Sequence, residues 1–330
     1  MSSAEPQPEL WHFSYVDDNS LNIHHESGLE RAMPRNRPSA LPERLPERLS
    51  QRLPVRLPAS LPRHLPGQVI AAAAAAGARA QEAYARSELA RRLALAREAC
   101  PQEVESGKPR LLRLVGEAEV LLEPIRRPRR QLEIPKSSNP QVVMILPGFA
   151  TRPGRMRYLA RQLEAAGHIT KRWGQGRNWG PDPDRFAQLE ARLAALHARH
   201  GRKVVLLGWS LGGLYARELA KRHSYAVAKV ITMGSPFSGS PRANNVWRAY
   251  QFITGHSVDA PPIPADLAQK PPVETVALWS PNDGVIAPRC AAGRPGERDR
   301  ALALRCTHMG FTYDPQVVFA LLEELERTGS

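Results

Sequence analysis

Gly208-Trp209-Ser210-Leu211-Gly212-Gly213 follows the apolar run Val204-Val205-Leu206-Leu207 and leads into Leu214–Lys221, a stretch of helix-forming residues. A serine with glycines two positions to either side, set where a buried strand gives way to a helix, is the pattern of a nucleophile on a very sharp turn. The spacing has a steric cause. A Cβ at 208 or 212 would strike the adjoining strand or helix, so both positions need glycine, and Gly213 adds room. Such a turn lifts the Ser210 hydroxyl to the end of the strand, beside the positive end of the next helix. Without strand and helix on its flanks, the same string would be an ordinary glycine-rich turn.

The flanks extend in both directions as short apolar runs alternating with amphipathic segments, which predicts βαβ units and a mostly parallel sheet. Val142–Leu146 reads as a buried strand. Met156, Leu159 and Leu163 share one face of a helix that Gly167 ends, and Phe186, Leu189, Leu193 and Leu196 share the face of the next. Val227–Met233 and Val273–Trp279 read as strands. The last helix has Asp314 as N-cap, Pro315 at its first position, and Val318, Leu321 and Leu325 turned inward.

A serine hydroxyl is a poor nucleophile near neutral pH and needs a base, with an acid to orient the base. In this strand–turn–helix arrangement the acid follows a later strand and the histidine comes after it. Asp283, in Ser280-Pro281-Asn282-Asp283-Gly284, follows the strand ending at Trp279. Asp259 and Asp266 precede that strand, Asp299 sits in a charged loop, and Asp314 is a helix cap. His308 is the one histidine beyond Asp283 and becomes the base by order, whereas His256 comes before the acid.

An oxyanion needs two preorganised N–H donors, one from the residue after the nucleophile and one from the loop after the first strand. Leu211 and Phe149, the latter in Leu146-Pro147-Gly148-Phe149, are the candidates, and Gly148 permits a close backbone approach. Gly174–Gly180 has its third glycine misplaced for a phosphate cradle, and it reads as a loop at the rim of the active-site face. The insertion between Phe237 and Pro272 carries Trp247, Tyr250, Phe252 and Ile253. Two readings of it stay open, a cap over the pocket that receives an acyl chain or packing on the sheet.

The chain has 330 residues, 31 of them proline, concentrated in the first half. Residues 1–66 read as a disordered Pro/Arg-rich extension built on Leu-Pro-x-Arg repeats, because proline at nearly every fourth position forbids a regular helix. Residues 67–139 read as a helical and irregular segment, with one helix from about Ala71 to Ala99 and either a short helix or edge strands within 111–135. Residues 140–330 read as the α/β domain that carries these candidate residues. The net charge of +14 reads as a solvated arginine-rich surface. No basic run is interleaved with stacking aromatics, so no nucleic-acid partner is expected, while contact with an anionic membrane surface stays open. Cys100, Cys290 and Cys306 have no metal-ligand spacing, and neither metal nor organic cofactor is expected. Cys290 and Cys306 would pair in an oxidising compartment and stay free thiols otherwise. With no basic, apolar leader at Met1, the expected location is cytoplasmic.

Taken together, Pro147-Gly148-Phe149, Gly176-Arg177-Asn178, the serine elbow, Gly234-Ser235-Pro236-Phe237, Asn282-Asp283-Gly284 and Thr307-His308 resemble bacterial lipase-like α/β-hydrolases over about residues 140–328. The resemblance implies an α/β-hydrolase fold and cleavage of carboxylic esters, with Ser210 as nucleophile, Asp283 as acid and His308 as base. Acyltransfer to an alcohol and thioester hydrolysis use the same machinery. A rival from another class is a catalytically silent binding module on this fold. Serine at the elbow speaks against dehalogenase chemistry, which places aspartate there.

Overall fold

The structure, a computed structural model, describes residues 67–126 and 132–327. The repeats expected over 1–66 lie outside the described residues. The described chain falls into two compact units, residues 67–87 in one and the described residues from Glu88 onward in the other.

Helix α1 (Gly67–Ala85) makes up nearly all that is described of the first unit. The single helix expected from Ala71 to Ala99 is instead two, α1 and α2 (Glu88–Ala96). The break lies at Arg86–Ser87, where the Ser87 hydroxyl and amide both donate to the carbonyl of Tyr84. A short hydroxyl side chain that satisfies the backbone locally competes with continued helix.

In the second unit, α2 is followed by α3 (Gln102–Ser106). A strap then runs from Leu111 to Arg126, made of α4 (Leu111–Gly116), a 3-10 turn (Glu117–Leu122) and α5 (Glu123–Arg126). The strap is helical, so the edge-strand alternative falls away over these residues; Arg127 to Gln131 lie outside the described residues.

The sheet has six strands, all parallel, in the order β2-β1-β3-β4-β5-β6. They are β1 (Val142–Leu146), β2 (Ile169–Arg172), β3 (Val204–Trp209), β4 (Val227–Met233), β5 (Glu274–Trp279) and β6 (Arg300–Ala303). Along β1 the side chains alternate between two cores. Val143 and Ile145 pack with α6 (Arg157–Ala166) and α11 (Pro315–Glu326), whereas Val142, Met144 and Leu146 pack with α7 (Pro183–His200) and α8 (Leu211–Arg222). Burial on both faces is why the central strands read as continuous apolar runs. The edge strands β2 and β6, Ile169-Thr170-Lys171-Arg172 and Arg300-Ala301-Leu302-Ala303, have no such run and escape a reading by hydrophobicity. Two shorter helices, α9 (Trp247–Thr254) and α10 (Pro288–Ala292), sit on either side of β5 in the sequence.

One polar network fastens the sheet to the last helix. The ammonium of Lys229, buried on β4, donates to the Glu324 carbonyl at 2.6 Å and the Arg327 carbonyl at 3.0 Å, and lies 3.1 Å from the Glu274 carboxylate. Arg300 bridges Glu274 and Glu324. A cation on the final carbonyls of α11 also opposes the negative end of its dipole. All six strands point the same way, so the loops after β1, β3, β4 and β5 gather at one edge, where open α/β sheets place their sites.

Candidate active site

At that edge Ser210 joins β3 to α8 with φ 54° and ψ −124°, in a region of backbone space that L-residues seldom occupy. Such strain costs about 1–3 kcal/mol and persists only where the surroundings over-determine it. The surroundings here are backbone. A Cβ on Gly208 would lie 2.4 Å from the Gly212 carbonyl oxygen, one on Gly212 would lie 2.2 Å from that of Leu146, and one on Gly213 would lie 2.0 Å from the Ser235 hydroxyl. The Ser210 amide donates to the Met233 carbonyl at 2.8 Å, which ties the elbow to the end of β4.

Asp283 is buried in the loop after β5. Its Oδ1 accepts the amides of Val285 at 2.8 Å and Ile286 at 2.7 Å, which leaves Oδ2 to accept from Nδ1 of the buried His308 at 2.7 Å. A carboxylate can only accept, so the proton sits on Nδ1 and Nε2 keeps its lone pair. Burial alone would push the imidazole down, but the charge of Asp283, its hydrogen bond and the charge of Glu117 together hold His308 above the ordinary value of 6.5. Trp209, next to the serine, donates from its indole to the His308 carbonyl at 3.1 Å, and its ring centroid lies 5.5 Å from the imidazole.

The other acids have structural duties. Asp259 pairs with Arg242, Asp266 caps the amides of Ala268 and Gln269, Asp299 accepts from the Thr275 amide, and Asp314 caps α11. His256 is exposed just beyond α9. Cys290 and Cys306 are buried free thiols.

The loop after β1 lies against the elbow, since a Cβ on Gly148 would sit 3.2 Å from the Ser210 Cβ. Among the described residues, neither the Phe149 nor the Leu211 amide meets a hydrogen-bond acceptor. The loop is pinned by a residue to which the sequence pattern assigns no role. Asn178, fully buried, donates its side-chain amide to the Pro147 carbonyl at 2.8 Å and accepts the Gly180 amide at 3.1 Å. Its carbonyl accepts the amide of Ala150 at 2.6 Å, and Ala150 itself has φ 57°. The rim loop Gly174–Gly180 thus holds the backbone that presents Phe149. An asparagine flanked by glycines gives no hint of this in sequence.

An apolar pocket of about 910 Å³, counting its open mouth, adjoins Ser210 and Leu211. Phe149 packs on Tyr250 across it with ring centroids 5.3 Å apart, and Trp247, Val258 and Ile263 add to the wall. The insertion after β4 therefore takes the pocket-lining alternative. It is anchored at two places. Arg91 and Arg92 on α2 donate to the carbonyls of Gly255 and Ile253, each at 2.7 Å, at the C-terminus of α9. The buried guanidinium of Arg217 on α8 donates to the carbonyls of Leu267, Ala268 and Gln269 and lies 4.1 Å above the Phe237 ring. Burial draws Arg217 down to about 10.

Comparison with known proteins gives the class. Residues 141–301 match the family model described as the alpha/beta hydrolase fold. The chain has the α/β-hydrolase fold, with a parallel six-stranded sheet. A stretch of 56 residues is 43% identical to the pimeloyl-[acyl-carrier protein] methyl ester esterase of Aromatoleum aromaticum, covering 17% of this chain and 22% of that protein. The alignment thus spans about a fifth of this curated relative's length. Among solved structures, Bacillus licheniformis lipase BlEst2 is 17% identical with a TM-score of 0.42, covering 60% of this chain and 96% of its own. Aspergillus fumigatus lipase B is 18% identical with a TM-score of 0.40, covering 58% and 53%. Likeness at this level carries no chemistry.

Replacing Asn178 with Ala strands the Pro147 carbonyl and the Gly180 amide, at a cost of about 2 kcal/mol. The melting temperature falls, and the amides of the loop after β1 exchange faster as it loses its anchor. Thermal melts and hydrogen-exchange measurements on the purified variant check both.

Proposed function

We propose that the chain hydrolyses carboxylic esters through an acyl-enzyme, with Ser210, His308 and Asp283 as its triad. The observation that carries the reading is the buried Asp283–His308 pair at 2.7 Å, at the same sheet edge as a serine held at φ 54° in the wall of an apolar pocket. The ester-cleaving name of the curated relative matched over 56 residues agrees with it.

Nε2 of His308 takes the Ser210 proton as Oγ attacks the ester carbonyl, and Asp283 stabilises the imidazolium that forms. The Phe149 and Leu211 amides receive the oxyanion, aided by the N-terminus of α8. The imidazolium then protonates the departing alkoxide. Water, deprotonated in turn by His308, releases the acid and restores the serine. The pocket favours an apolar acyl chain or alcohol group through burial worth about 0.8 kcal/mol per methylene.

A fluorophosphonate probe labels Ser210 in the folded wild type, and Ser210→Ala abolishes both labelling and p-nitrophenyl ester turnover. A folded wild type that stays unlabelled, or an alanine variant that still turns over, sinks the reading.

Only neutral His308 can accept the serine proton. Because Asp283 and Glu117 favour the cation, activity is lost as pH falls through the raised value. The acid limb of kcat/KM therefore has its midpoint above 6.5, which a pH–rate profile measures directly.

A membrane-surface role is favoured by one further observation. Leu111, Leu112, Val115 and Leu121 on the strap are each at least 70% exposed, beside the exposed Arg110, Arg113 and Arg126. Apolar side chains rimmed by arginines suit an anionic lipid interface. The protein is expected to sediment with phosphatidylglycerol vesicles, less at high salt, and less as the Leu112→Asp, Leu121→Asp double variant. Equal recovery with neutral and anionic vesicles would exclude this role.

A further inference from the structure

Glu117 opens the 3-10 turn of the strap, far from the strands in sequence, yet its carboxylate is buried among the catalytic loops. Oε1 accepts the amides of Gly284 at 2.9 Å and His308 at 2.8 Å, and Oε2 accepts the amide of Met309 at 2.8 Å. Gly284 follows the proposed acid, and His308 is the proposed base. One carboxylate thus binds the loop after β5 to the loop before α11. The strap is seated against the acid loop backbone to backbone, because a Cβ on Gly284 would lie 2.4 Å from the Arg113 carbonyl oxygen and 2.7 Å from the Leu114 nitrogen.

Three N–H donors converging on one side chain call for an acceptor with no donor of its own. A carboxylate meets all three with charge-assisted bonds. Glutamine would turn an NH2 toward at least one of them and leave a buried donor facing a donor. A carboxylate recruited only to fill space would need none of these contacts.

We infer that Glu117 is a positioning residue of the triad, fixing the acid-bearing and base-bearing loops at one spacing. The inference rests on the ester-hydrolase reading of Ser210, Asp283 and His308. It makes the strap part of the active site without bringing it to the substrate.

The charged groups acting on His308 are Asp283, from the loop after β5, and Glu117, from the strap. Cys306, two residues before it, has its thiol pushed well up by burial and stays neutral. Both carboxylates favour the imidazolium. Removing the charge at 117 therefore lowers the pKa of His308 and moves the acid limb of kcat/KM to lower pH, even while the plateau rate falls.

The test compares wild type, Glu117→Gln and Gly284→Ala. In Glu117→Gln, kcat is expected to fall about 10- to 100-fold with KM within about twofold, and the acid limb shifts to lower pH. Gly284→Ala keeps every triad side chain and Glu117 but presses the strap away, so it gives the same loss of kcat and the same direction of shift. A folded Glu117→Gln with wild-type kcat and an unmoved acid limb overturns the inference. So does one that only melts at lower temperature, since a merely structural role would move stability and leave the limb in place. Wild-type kcat in Gly284→Ala overturns it as well. Fluorophosphonate labelling of the wild type separates the two readings. If labelling fails, the ester-hydrolase reading fails by itself, and NMR titration of the His308 imidazole still tests Glu117. An unchanged imidazole pKa in Glu117→Gln counts against the inference whatever the activity.

Discussion

The close approach of helix α8 to strands β1 and β3 is the constraint to which the rest of the site answers. With the Gly212 Cα so placed that a methyl group would come within 2.2 Å of the Leu146 oxygen, the chain has only one residue, Ser210, between strand and helix in which to reverse direction. Ser210 is forced to positive φ as a result. The same reversal leaves the first amides of α8 without helical acceptors, exposes the serine to the pocket, and aims the helix dipole at the position where negative charge would develop. Strain, dipole and unpaired amides are thus three outcomes of one packing contact. A looser junction would relieve the strain and lose the other two.

Such a junction needs rigid neighbours, and they are supplied by backbone hydrogen bonds of loops more than by side chains of the core. The elbow bonds to the end of β4 through Met233, the loop after β1 bonds to Asn178, and the loops of Asp283 and His308 bond to Glu117. Each link uses a buried polar group that is fully engaged. In a low-dielectric surrounding a satisfied polar group is highly directional, while an unsatisfied one is costly. That asymmetry lets a few side chains hold loops at fixed separations where apolar contacts, which have no preferred direction, would allow them to slide.

This division explains what could be read from the amino-acid sequence. Strands β1, β3 and β4 were legible because burial on both faces makes them continuous apolar runs, and α6, α7 and α11 because one apolar face recurs at helical spacing. The elbow was legible because its sterics permit only glycine at 208 and 212. Asp283 and His308 followed from chain order, and the structure brings them into contact. β2 and β6 were not legible, since an edge strand needs no apolar run. Asn178 and Glu117 were invisible for a different reason. Their roles consist of hydrogen bonds to backbone amides and carbonyls 28 to 192 residues away in the chain or next door to them, and backbone partners leave no signature in side-chain pattern. The division of Ala71–Ala99 into two helices was hidden because Ser87 differs little in propensity from the residues around it.

The same kind of bond sets the outline of the pocket. From α2 to α5 the composition, rich in leucine, arginine and glutamate, says helix over α2 and leaves helix or edge strand open from residue 111 on. Yet α2 caps the C-terminus of α9 through Arg91 and Arg92, and Gln251 of α9, wholly buried, donates to the Leu95 carbonyl at 2.5 Å. On the far side Arg217 grips three consecutive carbonyls of the same insertion from α8, the helix that begins after Ser210. A short helix such as α9, eight residues long, is marginal by itself, and Arg91 and Arg92 steady it by satisfying carbonyls at its C-terminus, while Arg217 holds the later part of the insertion. The wall of the pocket is consequently set by cations bound to backbone. The backbone course there thus depends on residues, Arg91, Arg92 and Arg217, that are not themselves in the pocket wall.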